Sequence, residues 1–141
     1  MSVDFLDSNI FVYQLDRSDL RKSEVATVIL ERGTDGTAVT SFQVVQETLS
    51  VISRKLPLSA PTTEARRYLD EVLSLYWTVM PSVRLYQAAI EIQSRYGFHF
   101  YDSLIIAAAL EAGCDRLLSE DFQHGQRIEG LAIVNPFGDL G

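Results

Sequence analysis

The sequence predicts an α/β fold, a three-layer α/β/α sandwich whose central parallel sheet has about five strands. Short apolar segments of strand length alternate along the chain with longer segments in which apolar residues recur every three or four positions. Strands that are separated by helices pair in parallel through right-handed crossovers, which places helices on both faces of the sheet.

Two short apolar strands are predicted in the first half of the chain, at residues 3–6 and 38–40. A helix is expected between them at residues 19–32, because apolar side chains recur there at helical spacing and Gly33 can end the helix. A second helix follows Ser41, a residue type that commonly caps helices, and it ends before Pro57. Its apolar residues step by three and four, which is typical of a helix with one buried face.

Three more strands are predicted in the second half of the chain, at residues 77–80, 116–118 and 132–134. Three further helices are predicted from helical periodicity, at residues 62–75, 82–97 and 102–112. Ser82 is expected to cap the second of these helices, while Gly97 and Gly113 end the second and the third. Since no repeat or long linker interrupts this order, we expect a single domain over residues 1–141.

Composition narrows the classes of function. The chain has 141 residues and a net charge of −7, so an extended basic surface for nucleic acid is not expected and such a partner would need local positive charge. Its single cysteine, Cys114, favours a reducing compartment. The longest apolar run, residues 104–110, is far shorter than the roughly 20 residues of a membrane span, and the start of the chain lacks the basic region of a signal peptide. We therefore expect a cytoplasmic protein that does not bind a membrane.

Acidic residues lie at the predicted carboxyl ends of the strands. Asp7 directly follows the first strand, and Glu47 lies two turns into the helix after the second. Asp102 opens the helix that precedes the fourth strand, and Asp121 comes just after that strand. Ligand sites of open parallel sheets lie beyond the carboxyl ends of the strands, so we expect these carboxylates to converge there.

Each of these acids also has a purely structural explanation. Asp7 and Asp102 could cap helices, and Asp121 could be a loop residue in water. Glu47 is harder to explain in this way, because apolar residues flank it on its own row of the helix. A long side chain at the edge of an apolar face can nevertheless reach solvent, so the structural alternative stays open for Glu47 as well.

A cluster of carboxylates requires a cation, because neighbouring negative charges otherwise raise one another's pKa. Oxygen ligands without a cluster of histidine or cysteine favour Mg²⁺ or Mn²⁺ over Zn²⁺. Such an ion polarises phosphoryl oxygens and lowers the pKa of a bound water molecule. The acidic residues therefore favour an enzyme that acts on phosphate esters.

Four blocks of sequence carry these acids, namely FLDSNIFVY at 5–13, TSFQVVQE at 40–47, FYDSLIIAAA at 100–109 and LLSEDFQHG at 117–125. Together and in this order, the blocks resemble the acidic motifs of the PIN domain family over essentially the whole chain. The lack of further domains is similar to the VapC-type toxins of bacterial toxin-antitoxin pairs. The resemblance implies a PIN-like fold and a Mg²⁺- or Mn²⁺-dependent endoribonuclease that cleaves RNA. It also implies a homodimer whose active-site groove is covered by a cognate antitoxin.

The resemblance also implies a role for each acidic residue. Asp7 and Asp102 would be the main metal ligands, either directly or through water. Glu47 would complete the cluster and orient or deprotonate the attacking water, and Asp121 would bind metal-ligated water or a second ion. Glu120, which is adjacent to Asp121 in the sequence, is the alternative for this fourth position.

Polar neighbours of the acids are assigned by the same resemblance. Ser8 and Ser119 would hold water or a phosphate oxygen through their hydroxyl groups, and Asn9 would support Asp7. His124 lies in the fourth block, where a structural role is favoured and contact with the substrate stays open.

Two other functions remain possible on the residues alone. A phosphatase or phosphoacceptor domain would use Asp7 as its nucleophile, and it would need a second aspartate two residues later or a lysine near the end of a late strand. Asn9 occupies the first of these positions, and the sequence has no lysine after Lys55. A non-catalytic PIN-like binding module, in which the acids merely cap helices, is the other alternative.

Overall fold

A six-stranded sheet forms the centre of the computed structural model, which describes residues 2–138. The strands are β1 Asp4–Leu6, β2 Ala38–Ser41, β3 Trp77–Val79, β4 Arg116–Leu118, β5 Arg127–Ile128 and β6 Leu131–Val134. Their order is β3-β2-β1-β4-β6-β5, and β5 alone of these strands is antiparallel to its neighbour. The predicted α/β sandwich is confirmed, with one more strand than the five expected, because the two-residue β5 is too short to leave a pattern in the sequence.

Seven α-helices and a short 3₁₀ helix, Gly33–Asp35, connect and flank the strands in the described part of the chain. The α-helices are α1 Ser8–Leu15, α2 Leu20–Arg32, α3 Phe42–Arg54, α4 Pro61–Tyr68, α5 Ser74–Tyr76, α6 Val83–Tyr96 and α7 Phe100–Glu111. A π-helical turn, Leu69–Leu73, joins α4 to α5, so the helix predicted at 62–75 is a single helical segment with an interrupted hydrogen-bond pattern. None of the helices within residues 2–138 combines the length and the apolar character that crossing a bilayer requires.

Most of the predicted helix boundaries are confirmed by their caps. The Asp19 side chain accepts a hydrogen bond from the backbone of Lys22 at the start of α2, and the Ser82 side chain caps α6 in the same manner. Gly97 ends α6 with a φ of 78°, a left-handed conformation that glycine adopts without strain. Ser41 differs from expectation, because it occupies the N-cap position of α3 but its side chain makes no capping hydrogen bond.

Helix α1 was not predicted from the sequence. Its eight residues include the run Ile-Phe-Val-Tyr, which is as apolar as a strand and has no helical spacing. Tertiary packing explains the helix, since Ile10 and Phe11 are fully buried. The Phe11 ring packs edge-on against Tyr68 and Tyr76, with ring centroids 6.5 and 5.8 Å away. Burial of one such aromatic side chain contributes about 1.5–3 kcal/mol, enough to override a weak local preference.

The order in which the chain adds strands to the sheet reverses between β1 and β4. This reversal creates a crevice at the carboxyl ends of these two strands. From β1 the chain moves to β2 and β3 on one side of the sheet, and then crosses to β4 on the other side. Leu6 pairs with Leu118 at the ends of β1 and β4, and the Asp7 backbone N–H donates to the Leu118 carbonyl at 3.1 Å. Asp7 and Ser119 therefore leave the sheet side by side at its topological switch point, where ligands bind in such folds.

Candidate active site

Asp7 lies at the centre of the site and is almost fully buried, with 3% of its surface exposed. As the N-cap of α1, its Oδ1 accepts a hydrogen bond from the Ser8 backbone N–H at 2.8 Å. Its Oδ2 accepts a hydrogen bond from the hydroxyl of Ser119 at 2.6 Å. The same Ser119 oxygen accepts from the backbone N–H of Asp121 at 3.1 Å. One buried hydroxyl thus ties the carboxylate after β1 to the loop after β4.

Burial raises the pKa of Asp7 to about 7, against an ordinary value of 3.8. The hydrogen bonds from Ser119 and Ser8 lower this pKa, whereas the nearby carboxylates of Asp121 and Glu47 raise it. The Asp7 carboxyl group is therefore in an environment that disfavours its negative charge and would be stabilised by a cation.

Asp121 lies on the exposed side of the same crevice. Desolvation of its carboxylate raises the pKa of Asp121, the carboxylates of Glu120 and Asp102 raise it further, and a hydrogen bond from Asn9 lowers it. That hydrogen bond runs from Asn9 Nδ2 to Asp121 Oδ2 over 3.2 Å. Asn9 thus contacts Asp121 and not Asp7, the residue that the family resemblance implies it would support.

The other two acids come from helices on either side of the crevice. Glu47 is half-buried on α3, and its Oε1 accepts a hydrogen bond from Gln43 Nε2 at 3.1 Å. Asp102 is half-buried in the first turn of α7, which begins two residues earlier than expected, with His99 as its N-cap residue. The structural alternative in which Asp102 caps this helix is therefore wrong.

Electrostatic interactions between individual pairs link the four acids. Asp7 is influenced by Asp121 and Glu47, and Asp121 is influenced by Asp102. The acids are separated by tens of residues in the sequence, and it is the parallel topology that gathers them.

Glu120 is held by partners outside this group, although its charge also acts on Asp121. Its Oε1 accepts a hydrogen bond from the Tyr13 hydroxyl at 2.5 Å, and its Oε2 forms an ion pair with Lys22 Nζ at 3.4 Å. The Lys22 ammonium also lies 4.8 Å from the centre of the Tyr13 ring. With both oxygens engaged by α1 and α2, Glu120 serves to hold the loop after β4, which leaves Asp121 as the fourth acid of the site.

His124 also has a structural partner. Its Nδ1 accepts a hydrogen bond from the backbone N–H of Asn135 at 3.0 Å, which connects the loop after β4 to the residue after β6. The structural role favoured for His124 in the sequence analysis agrees with this contact.

The donor set suits a hard divalent cation without forming a finished cage. Within residues 2–138, no group of three or more His, Cys, Asp or Glu side chains is close enough to hold an ion as it stands. Mg²⁺ often uses only one or two carboxylates and completes its shell with water and phosphate oxygens, so a three-carboxylate cage is not required. Asn9 Oδ1 is a buried acceptor without a hydrogen-bond partner among these residues, which adds an unused oxygen beside Asp121. These residues therefore fit Mg²⁺ or Mn²⁺.

A shallow depression beside Glu47 contains a positively charged residue, Arg54, next to the acids. It is lined by Ser8 after β1 and by Ser50 and Arg54 on α3. The Arg54 guanidinium donates to the Ser50 hydroxyl at 2.5 Å, which holds this cation along the helix. This is the kind of local positive charge that an acidic protein needs in order to bind a polyanion.

Two kinds of supporting residue have no predicted role in the sequence. Gln43 precedes Glu47 by four positions, which is one helical turn, and this spacing alone could have identified it. Tyr13 and Lys22 contact Glu120 although they are 107 and 98 residues away from it in the sequence. No local sequence pattern could predict contacts over such separations.

The comparisons with known proteins concern the family and the fold of this chain. The family model of the PIN domain matches residues 5–127. The fold is similar to that of FitAcB from Neisseria gonorrhoeae, with a TM-score of 0.68 and 16% identity over 96% of this chain and 99% of that one. It is also similar to VapBC2 from Rickettsia felis bound to a promoter DNA fragment, with a TM-score of 0.69 and 19% identity over 93% and 96% of the two chains.

A third similar structure is VapC20 from Mycobacterium tuberculosis, described as a toxin that cleaves the sarcin-ricin loop. Its TM-score is 0.58 and its identity 20%, over 84% of this chain and 91% of that chain. None of the curated protein sequences is significantly similar to this chain. The structural likenesses establish the fold, and the family model covers far more than half of the sequence. This chain belongs to the PIN domain family.

Proposed function

We propose that this protein is a Mg²⁺- or Mn²⁺-dependent endoribonuclease that hydrolyses phosphodiester bonds of RNA. The observation that carries the proposal is the buried Asp7 carboxyl group at the β1–β4 switch point, with Glu47 and Asp121 close enough to raise its pKa. A carboxylate in such a position destabilises the fold unless a cation accompanies it. Membership of the PIN domain family supports the same activity.

Asp7 and Asp102 would hold the ion, directly or through water, and Asp121 would bind its water molecules or a second ion. When bound, the ion would supply charge stabilisation at the phosphoryl group and a water molecule of lowered pKa. Glu47 keeps Oε2 available, because Gln43 contacts Oε1, and we assign Glu47 Oε2 the task of orienting the attacking water and accepting its proton.

The two serines have different tasks in this proposal. Ser119 is fully buried, and its hydroxyl both donates to Asp7 and accepts from Asp121, so it positions the acids instead of contacting the substrate. Ser8 lines the depression beside Glu47 and Arg54, where its hydroxyl can bind a phosphate oxygen. The Arg54 guanidinium would neutralise part of the RNA backbone charge at the same place.

We further propose that the chain is the toxin of a toxin-antitoxin pair and acts in the cytoplasm. VapC20, which has the same fold, is described as a toxin that cleaves the sarcin-ricin loop. Another protein of this fold comes from a toxin-antitoxin complex of Klebsiella pneumoniae. An antitoxin protein that covers the acidic crevice would keep RNA out of it until the antitoxin is removed.

A second copy of the chain is the partner that we propose for the exposed apolar side of α6. Val83, Tyr86 and Ile90 lie three and four residues apart on this helix and are 75, 38 and 57% exposed. Met80 just before the helix and Tyr101 on α7 are also exposed, and α6 packs against α7. Exposed apolar residues that lie on one side of a helix commonly mark a protein interface.

Light scattering of the purified protein should give twice the chain mass of 15.8 kDa. Ile90→Arg places a charge in the proposed interface and should give a monomer, because burying an unpaired charge is costly. Val28→Arg, at an exposed apolar residue on α2, should leave the mass unchanged. A wild-type monomer, or a dimer that is insensitive to Ile90→Arg, would contradict this interface.

Cleavage of a panel of structured RNAs tests the proposed function. The purified protein should cleave at least one of them in the presence of Mg²⁺ or Mn²⁺, and EDTA should stop the reaction. Adding the metal back should restore cleavage, because EDTA removes the ion that takes part in the reaction and leaves the protein itself unchanged. The absence of metal-dependent cleavage across the panel, together with no thermal shift at millimolar Mn²⁺, would favour a non-catalytic binding module.

A further inference from the structure

Gln43 connects two of the helices that carry the acids. It lies in the first turns of α3 and is 5% exposed. Its Nε2 donates to Glu47 Oε1 at 3.1 Å and to the backbone carbonyl of Tyr101 at 3.1 Å. Tyr101 directly precedes Asp102 in the first turn of α7. One side-chain amide therefore contacts both a carboxylate of the site and the backbone that carries another carboxylate.

The chemistry of its partners fixes the orientation of this amide. A carboxylate and a carbonyl only accept hydrogen bonds, so the NH₂ group of Gln43 must face both of them. Its Oε1 is consequently buried without a hydrogen-bond partner among residues 2–138. A buried unpaired acceptor destabilises a fold. Stability alone therefore does not explain a glutamine here, and such local conflicts are typical of functional sites.

We propose that Gln43 is a positioning residue of the nuclease site that holds the Glu47 carboxylate in a fixed relation to the first turn of α7. This inference rests on the proposed function. Glu47 has a long side chain with several rotatable bonds, and the contact to Gln43 restricts its Oε1 to one place. The hydrogen bond to Tyr101 anchors Gln43 itself to α7, so that Glu47 on one helix and Asp102 on the other keep their separation. The other carboxylate oxygen, Glu47 Oε2, then faces the attacking water in one orientation.

The substitution Gln43→Met tests this role, because methionine has a similar length and shape but donates no hydrogen bond. We expect kcat for RNA cleavage to fall about 10- to 100-fold, the range typical of residues that orient metal ligands, with KM changed less than about twofold. Calorimetric titration of the RNA-free protein should show weaker Mn²⁺ binding. The melting temperature should change little, because the unpaired Oε1 is removed together with the two hydrogen bonds that Nε2 donates.

Thr48→Val is the matched control. Thr48 is adjacent to Glu47 on α3, is fully buried, and its hydroxyl has no hydrogen-bond partner within the described residues. Removal of this hydroxyl should leave kcat and Mn²⁺ binding at their wild-type values. The melting temperature should be equal to that of the wild type or higher.

Three outcomes would overturn the proposal in different ways. Wild-type kcat and Mn²⁺ affinity in Gln43→Met would show that Glu47 is positioned without Gln43. A loss of kcat in Gln43→Met that is matched by a large loss of melting temperature would indicate a merely structural role, and so would an equal loss of kcat in Thr48→Val. A wild-type protein that neither cleaves RNA nor binds Mn²⁺ would instead contradict the proposed function, and this inference with it.

Discussion

Asp7→Asn should abolish RNA cleavage while leaving the fold intact. Asparagine caps helices as well as aspartate does, so α1 should form as before with residue 7 accepting from the Ser8 backbone. The negative charge of residue 7 is lost, and with it one of the two main carboxylate ligands of the proposed ion. We expect cleavage to fall by about 10³-fold or more, as when a principal source of transition-state charge stabilisation is removed.

A matched control for this prediction lies in the same part of the chain. Asp19 is also an N-cap aspartate, whose side chain accepts from the backbone of Lys22, but it is not one of the four acids of the site. Asp19→Asn should cleave RNA at the wild-type rate, whereas Asp102→Asn should be as inactive as Asp7→Asn. Normal cleavage by a folded Asp7→Asn variant would refute the assignment of this residue to the active site.

The second prediction concerns the pH dependence of stability in the presence of EDTA. In the folded protein burial raises the pKa of Asp7 to about 7, whereas in the unfolded chain its ordinary value is 3.8. Below pH 3.8 both states hold the proton. Between these two values the unfolded state releases its proton and the folded state retains it, so the unfolded state is favoured as the pH rises. The full shift corresponds to about 4 kcal/mol of lost stability at pH 8.

Asp7→Asn removes this proton equilibrium and should therefore stabilise the metal-free protein at pH 8. We expect its free energy of unfolding to exceed that of the wild type by about 1–3 kcal/mol, less than the full shift because the hydrogen bond from Ser119 is altered. The gap should narrow toward pH 4. Urea denaturation of both proteins at several pH values measures it, and a gap that does not change with pH would show that Asp7 titrates normally.

The position of the acids could be predicted because it depends on topology. Asp7 and Asp121 follow neighbouring parallel strands, and the carboxyl ends of such strands meet at one edge whatever the details of packing. Glu47 could be assigned to the site because a carboxylate is unusual among the apolar residues of its helix row. The structure places Glu47 close enough to influence Asp7.

The supporting contacts could not be predicted, because they depend on side-chain directions that no period in the sequence encodes. Ser119 was expected to bind water or phosphate, but the close approach of β1 and β4 turns its hydroxyl onto Asp7. Glu120 and Asp121 are indistinguishable as neighbouring acids in a sequence. Only the packing of α1 and α2 places Tyr13 and Lys22 against the first of them.

The central claim is that the carboxylates around Asp7 share one hard cation, and crystals grown with Mn²⁺ test it most directly. An anomalous difference map should show a manganese peak in the β1–β4 crevice with oxygens of Asp7 and Asp102 in its coordination shell, and Asp7→Asn crystals should lack it. A peak bound elsewhere on the molecule, or a crevice without manganese at millimolar concentration of the ion, would contradict the account.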